Sequence, residues 1–154
     1  MQNMITSGVF AREFDEIDRA VEVGFAGGRV ISVSFPPETP ADASGDHDLL
    51  DRIGQYLRGE PDEFTAVAVG LTVPTDRRAV LEALRTVPYG DDVSVSRLAK
   101  LAALDAHDPD DLELVTRSLD DNPIPLLFPD HRVQGGPYAT PGRVRSHLRR
   151  VEDI

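Results

Sequence analysis

Three residues toward the C-terminal end of this 154-residue chain carry side chains from which acid–base or metal chemistry is built: adjacent Asp130 and His131, and Glu152. A carboxylate–histidine–carboxylate set can serve as a general acid/base group or supply two or three metal ligands. The same trio also occurs as a purely structural hydrogen-bond network. Asn122 and Tyr138 flank it in sequence. An asparagine beside prolines either satisfies backbone groups in a turn or holds a ligand. A tyrosine either packs as an amphipathic ring or donates its hydroxyl proton. The chain has no cysteine, which excludes disulfides, thiolate catalysis and cysteine-based zinc sites. No motif calls for a metal or cofactor, and neither is expected.

The elements that must position these residues divide near residue 70. Val9–Phe14, Val21–Phe25 and Arg29–Phe35 alternate as strands do, and Gly27-Gly28 between the last two is a hairpin signal. Pro36–His47 is a polar loop, and Leu49, Leu50, Ile53 and Leu57 then repeat at helical spacing over about 48–59. Beyond residue 72 the pattern is helical. Thr75 or Asp76 is placed to cap a helix carrying Val80, Leu81, Leu84 and Val87. Ser94 opens a second helix with Leu98 and Leu101, and Asp108-Pro109 a third running to about Leu119. Thr140-Pro141 repeats that device for a last helix with Val144, Leu148 and Val151 as its apolar stripe. The expected fold class is therefore α+β: a small antiparallel strand/helix lobe over 1–70, then a mainly helical domain over 71–154.

Composition fits a folded chain, with 40% hydrophobic residues and no run near the roughly 18 to 20 apolar residues of a membrane span. The start Met1–Ser7 lacks the basic region of a signal peptide, so a cytoplasmic, monomeric protein away from membranes is expected. Net charge is -11, and of the 16 basic residues only Lys100 is lysine. An acid-rich, arginine-biased surface is common where the cytoplasm is salt-saturated, which points to a halophilic archaeal source. Residues 38–63 carry eight acids against two arginines, and residues 105–121 seven acids against Arg117. Such charge opposes contact with phosphates unless salt screens it.

The run Asn122-Pro-Ile-Pro-Leu-Leu-Phe-Pro-Asp-His-Arg-Val133 resembles the active-site signature of the O6-alkylguanine-DNA alkyltransferases, in which Asn-Pro-x-Pro leads into Pro-Cys-His-Arg-Val. Val80–Gly90, ending in Pro-Tyr-Gly, and Ser96-Arg-Leu-Ala99 are similar to the helix, turn and second helix that precede it. The resemblance covers about residues 70–152 well and implies a winged-helix-like alkyltransferase domain. In the family a cysteine thiolate takes the alkyl group from the guanine O6 and keeps it. Asp130 stands at that position here. The resemblance further implies that Asn122 orders the turn, that His131 works with Glu152 to deprotonate the nucleophile, and that Tyr138 donates toward the lesion oxygen. It places Pro129, Val133 and Val95 with Tyr138 around the substrate, and Glu113 and Arg132 on the DNA side. Two of these also depart from the family: Glu113 replaces the arginine finger that fills the space of the flipped base, and Val95 replaces the tyrosine that presses on the phosphate.

Three functions compete on these residues. The first is a DNA-repair alkyltransferase-like protein that binds double-stranded DNA at O6-alkylguanine without transferring the alkyl group, marking it for a repair partner. Members of that class replace the cysteine, typically with Trp or Ala, but keep the finger and the tyrosine. The second is a family member turned protein-binding module, its acidic third helix meeting a basic partner with no DNA contact. The third is an enzyme built on Asp130, His131 and Glu152. The four arginines Arg143, Arg145, Arg149 and Arg150 form a basic cluster, read most simply as compensation at a helix C-terminus.

Overall fold

A computed structural model describes residues 8–154, so the reading of Met1–Ser7 lies outside the described residues. Three strands, β1 (Gly8–Phe14), β2 (Arg19–Ala26) and β3 (Arg29–Ser34), form an antiparallel sheet in the order β1-β2-β3. Phe10 and Phe14, and Val21 and Val23, turn one face inward at period two, and a register shift between β2 and β3 beside Gly24 and Phe25 lets Val30 and Val33, three residues apart, join them. Gly27 and Gly28 make the expected hairpin with φ of 59° and 76°, the left-handed region that a side chain resists.

Helix α1 (Asp48–Leu57) follows the polar loop and starts where the His47 Nδ1 accepts the Leu49 N–H at 3.0 Å. Leu49, Leu50, Ile53, Tyr56 and Leu57 are buried on its inner face. Each large aliphatic side chain so buried stabilises by about 1.5–3 kcal/mol. The helical half contains α2 (Thr75–Leu84), α3 (Val95–Leu101), α4 (Pro109–Asp120) and α5 (Gly142–Glu152). Ser94 caps α3 through the Arg97 N–H, and Asp108 caps α4 through the Asp110 N–H. The other two expected caps are not made from the residue before the helix, although the Asp76 Oδ1 accepts the Arg77 N–H at 2.8 Å within the first turn of α2. Pro74 and Pro141 occupy the positions before α2 and α5, and neither makes a side-chain cap. Thr75 is already helical, and the Thr140 hydroxyl is engaged elsewhere, on Asp130.

Helices α2, α3 and α4 pack on one another, while α5 lies against α1 and the turn at 130–132. Two two-residue strands, β4 (Val93–Ser94) and β5 (Val133–Gln134), pair in parallel beside α3. Among the described residues no β-hairpin follows α4, so the winged-helix expectation finds a helix-turn-helix here but no hairpin wing. One buried cluster runs from Phe10 through Tyr56, Leu84 and Phe128 to Leu148, crossing the expected boundary at residue 70 without a break. The first lobe thereby supplies a wall, and the side chains of Tyr56 and Glu63, to the site in the second. No helix among the described residues is long and apolar enough to cross a membrane.

Candidate functional site

The segment 122–133 folds as a tight turn because Asn122 serves its backbone on both sides. The Asn122 Oδ1 accepts the Ile124 N–H at 3.1 Å, and its Nδ2 donates to the Phe128 carbonyl at 2.9 Å. A one-turn 3-10 helix, Asp130–Arg132, then presents three polar side chains to the interior. Their exposures are 0%, 0% and 3%.

Asp130 is enclosed by donors. Its Oδ1 accepts the Thr140 hydroxyl at 2.6 Å; its Oδ2 accepts the Ala139 N–H at 2.9 Å and, at 3.3 Å, both the Thr140 N–H and the Asn122 Nδ2. Burial raises its pKa above the ordinary carboxylate value, and the Thr140 hydroxyl and the backbone donors oppose that shift. The carboxylate thus clasps the 138–140 strip against the 122–130 turn. Beside it, the Tyr138 hydroxyl accepts the Gly136 N–H at 2.8 Å, and the Arg145 guanidinium sits 4.0 Å from the Tyr138 ring centroid.

His131 points the other way. Its Nε2 lies 2.7 Å from the Glu152 Oε2 and 3.0 Å from the Tyr56 hydroxyl, which also donates to Glu152. Arg132 reaches the same carboxylate with Nε at 2.8 Å and Nη2 at 3.2 Å, and the Gly90 N–H joins it at 3.1 Å. Burial alone would raise Glu152, but the hydrogen bonds from His131 and Arg132 outweigh it and bring the pKa down to about 2. Burial also drives the His131 imidazole below its ordinary value, against the pull of Glu152, so the ring is neutral at pH 7. With Nε2–H assigned to Glu152 from the hydrogen-bond pattern, Nδ1 is a buried acceptor, and it has no partner among the described residues. Burial, then the Glu152 charge, raise the Tyr56 phenol well above its usual value.

The structure therefore divides the expected carboxylate–His–carboxylate set in two. His131 and Glu152 meet, while Asp130 makes no hydrogen bond to His131 and is bound instead to residues 139–140. No group of three His, Asp or Glu side chains among the described residues is arranged to hold a metal ion. Arg132, expected on the DNA side, faces inward, where it also donates to the Val87 carbonyl at 2.8 Å and lies over the Tyr89 ring. Its inward turn follows from Glu152: a buried carboxylate needs a cation, and this is the one that reaches it. Val133 is fully buried in the β4–β5 pair and Pro129 is buried at the entry to the 3-10 turn, whereas Val95 is half-buried at the start of α3. Tyr56, Thr140 and Gly90 escaped the sequence reading. A tyrosine within the α1 apolar stripe was the available signal for the first, since a buried phenol needs a partner.

Residues 75–151 match the family described as 6-O-methylguanine DNA methyltransferase, DNA binding domain. A methylated-DNA–protein-cysteine methyltransferase of Methanopyrus kandleri is 33% identical over 107 residues, 68% of this chain and 77% of that protein. This chain belongs to the methylated-DNA–protein-cysteine methyltransferase family. Its fold is that of the Mycobacterium tuberculosis O6-methylguanine methyltransferase, with a TM-score of 0.71 at 22% identity over 94% of this chain and 93% of that one. The structure of the M. tuberculosis protein in complex with DNA matches equally, at TM-score 0.71 and 23% identity over 94% and 93% of the two chains. The Pyrococcus kodakaraensis O6-methylguanine-DNA methyltransferase gives 0.69 at 21% identity over 96% and 100%.

Within that family's helix-turn-helix, α3 and α4, the two departures in sequence take definite forms. Glu113 is exposed on α4 and pairs with Arg117 one turn on, 2.9 Å apart. Asp121 is likewise held by Arg77 at 3.1 Å. Part of the acidity of 105–121 serves the backbone: Asp105, Asp108 and Asp111 accept the N–H groups of His107, Asp110 and Asp105. Carboxylates there also complement the positive end of α4. Asp110 and Asp120 are left without a cation among the described residues.

Proposed function

We propose that this family member binds duplex DNA at O6-alkylguanine and does not transfer the alkyl group. The observation that carries the reading is Asp130. Methyl or alkyl transfer needs a nucleophile with a free, soft lone pair aimed at carbon, and the family's thiolate provides it. In this chain the position holds a carboxylate whose two oxygens already accept four donors. His131 supports the same conclusion, because its unpartnered Nδ1 has no thiol proton to accept from a carboxylate. The rest of the arrangement that ordered the site remains: Asn122 in its turn, His131 on Glu152, and Tyr138 with its hydroxyl proton uncommitted. Because Asp130 and His131 are inaccessible, base entry requires the 136–140 strip to lift from Asp130.

A second reading, a protein-binding module without DNA contact, is favoured by one observation: Glu113 faces solvent at the position of the family's finger, with Asp110 exposed three residues before it. One experiment separates the two. Binding is measured to duplexes with and without O6-methylguanine at about 0.2 M and about 2 M salt, followed by intact mass of the protein. Tighter binding of the lesion duplex with an unchanged protein mass is expected. A stable gain of one methyl ends the non-transferring assignment, and no binding at either salt concentration favours the protein module.

A further inference from the structure

The cations of this acidic chain are mostly committed. In α5, Arg149 is held by Asp92 at 2.9 Å, Arg143 by Asp18 at 3.3 Å, Arg145 by the Tyr138 ring, and Arg150 rests on the His147 Nδ1 at 3.3 Å. Arg132 is buried on Glu152, and Arg77 and Arg117 have carboxylate partners. Two of the four arginines that sequence shows at the C-terminal end are therefore neutralised by carboxylates, and the other two are engaged by a ring and an imidazole nitrogen. Helix α3 differs. Arg97 and Lys100 are both exposed, and neither side chain meets a carboxylate or makes a hydrogen bond among the described residues. Lys100 is also the one lysine in a chain whose other 15 basic residues are arginine.

Spacing puts the two charges together. Residues three apart on a helix share a face with Cβ atoms about 5–6 Å apart, so the two heads stand side by side. The inner face of α3 is fixed by Leu98 and Ala99, both fully buried, which turns Ser96, Arg97, Lys100 and Leu101 outward. This face lies on the first helix of the α3–α4 pair, inside the segment matched as a DNA-binding domain. In helix-turn-helix proteins the first helix crosses the phosphate backbone while the second enters the groove. Here the second helix carries most of the acid and the first carries two unneutralised cations.

Resting on the DNA-binding reading above, we infer that the Arg97–Lys100 face of α3 is the phosphate-contact surface of this protein, its partner the sugar–phosphate backbone of duplex DNA. The contact is electrostatic and carries no sequence information. It supplies positive charge that α4 lacks and tilts the weight of the interface toward the first helix. Neutralising Asp110 or Glu113 would remove repulsion, but of the three basic residues on α3 and α4 the two without a carboxylate are Arg97 and Lys100, since Arg117 is held by Glu113.

The test is the salt dependence of duplex binding for the wild type, Arg97→Gln, Lys100→Gln and the double variant, with Arg143→Gln/Arg150→Gln as the comparison. Each phosphate contact contributes about 0.9 to the slope of log K against log salt, so each single variant lowers the slope by about that amount and the double by about twice it. At about 0.2 M salt the double variant binds roughly tenfold more weakly. An unchanged melting temperature verifies the fold, as neither side chain has a partner to lose. A wild type that binds DNA while the double variant keeps its slope overturns this inference alone. So does a loss of slope that follows the α5 pair instead, or displacement of the duplex by an equal charge of polyglutamate, which would make the face a site for acidic protein. A wild type that binds no duplex at any salt overturns the DNA-binding reading and the inference together.

Discussion

Glu152 is where the site's electrostatics concentrate. Five donors converge on it, from His131, Tyr56, Gly90 and twice from Arg132, and against the burial that would raise it His131 and Arg132 bring its pKa down to about 2 from a reference of 4.5. A depressed carboxylate pKa contributes stability that is fully present above the unfolded value and is lost as pH falls through the folded one. The stability difference between wild type and Glu152→Gln therefore contains a pH-dependent part of about 3 kcal/mol. It should be intact at pH 7 and shrink as pH falls from about 4.5 to about 2. Denaturant titrations across that range measure it, and a constant difference would mean that Glu152 is not the charged member. Asp130 runs in the opposite sense, because its raised pKa relieves a penalty as pH falls, so the comparison must be made between variants and not on the wild type alone. Tyr56→Phe isolates another donor: losing a hydrogen bond to a buried carboxylate costs about 1.5–3 kcal/mol. A variant as stable as wild type in urea would show that the contact contributes nothing.

At the scale of elements, the 122–130 turn and the 138–140 strip are held together largely through Asp130. Asp130→Ala leaves the Ala139 and Thr140 N–H groups, the Thr140 hydroxyl and the Asn122 amide without that acceptor, and buried unsatisfied donors cost about 1–3 kcal/mol each. The strip should then lift into water, with faster hydrogen exchange at Ala139 and Thr140, and added formate should slow it again by refilling the carboxylate site. Exchange at wild-type rates would show that the strip is fixed by the Arg145–Tyr138 stack instead. The helices themselves were legible in sequence because their signals are local: Leu49, Leu50, Ile53 and Leu57 in α1, the Ser94 cap of α3, and Asp108-Pro109 at α4. The role of Thr140 was not, since a threonine before a proline reads as a helix cap and nothing nearby reports a carboxylate ten residues earlier. The inward turn of Arg132 was hidden for the same reason: its partners Glu152, Glu63 and Val87 lie 20 to 69 residues away. Asn122, by contrast, was readable, because its partners lie two and six residues along the chain.

Over the whole molecule the question is how a chain of net charge -11 stays compact. Structure answers part of it by pairing. In the acidic stretch 38–63, Arg52 grips Asp62 with two hydrogen bonds of 2.9 and 2.7 Å, Arg12 takes Asp51 at 2.9 Å, and Glu63 receives the Tyr89 N–H. In 105–121, three carboxylates cap backbone N–H groups and two more have arginine partners. Exposed pairs of this kind contribute about 0–1 kcal/mol each and weaken as salt rises, whereas the excess of unpaired acids repels at long range and is relieved by the same salt. The two effects oppose each other, and the count decides between them: 27 acids against 16 basic residues leave repulsion in surplus. Thermal unfolding should shift upward by several degrees between about 0.1 M and 2 M potassium chloride, at very roughly 3–5 °C per kcal/mol for a domain of this size. Chloride is the informative anion, because sulfate stabilises folded proteins generally by exclusion from their surfaces. A flat or falling melting temperature would mean that the pairing network outweighs the surplus. The proposal of a salt-adapted source, which rests on the same carboxylate density, would then lose its physical basis.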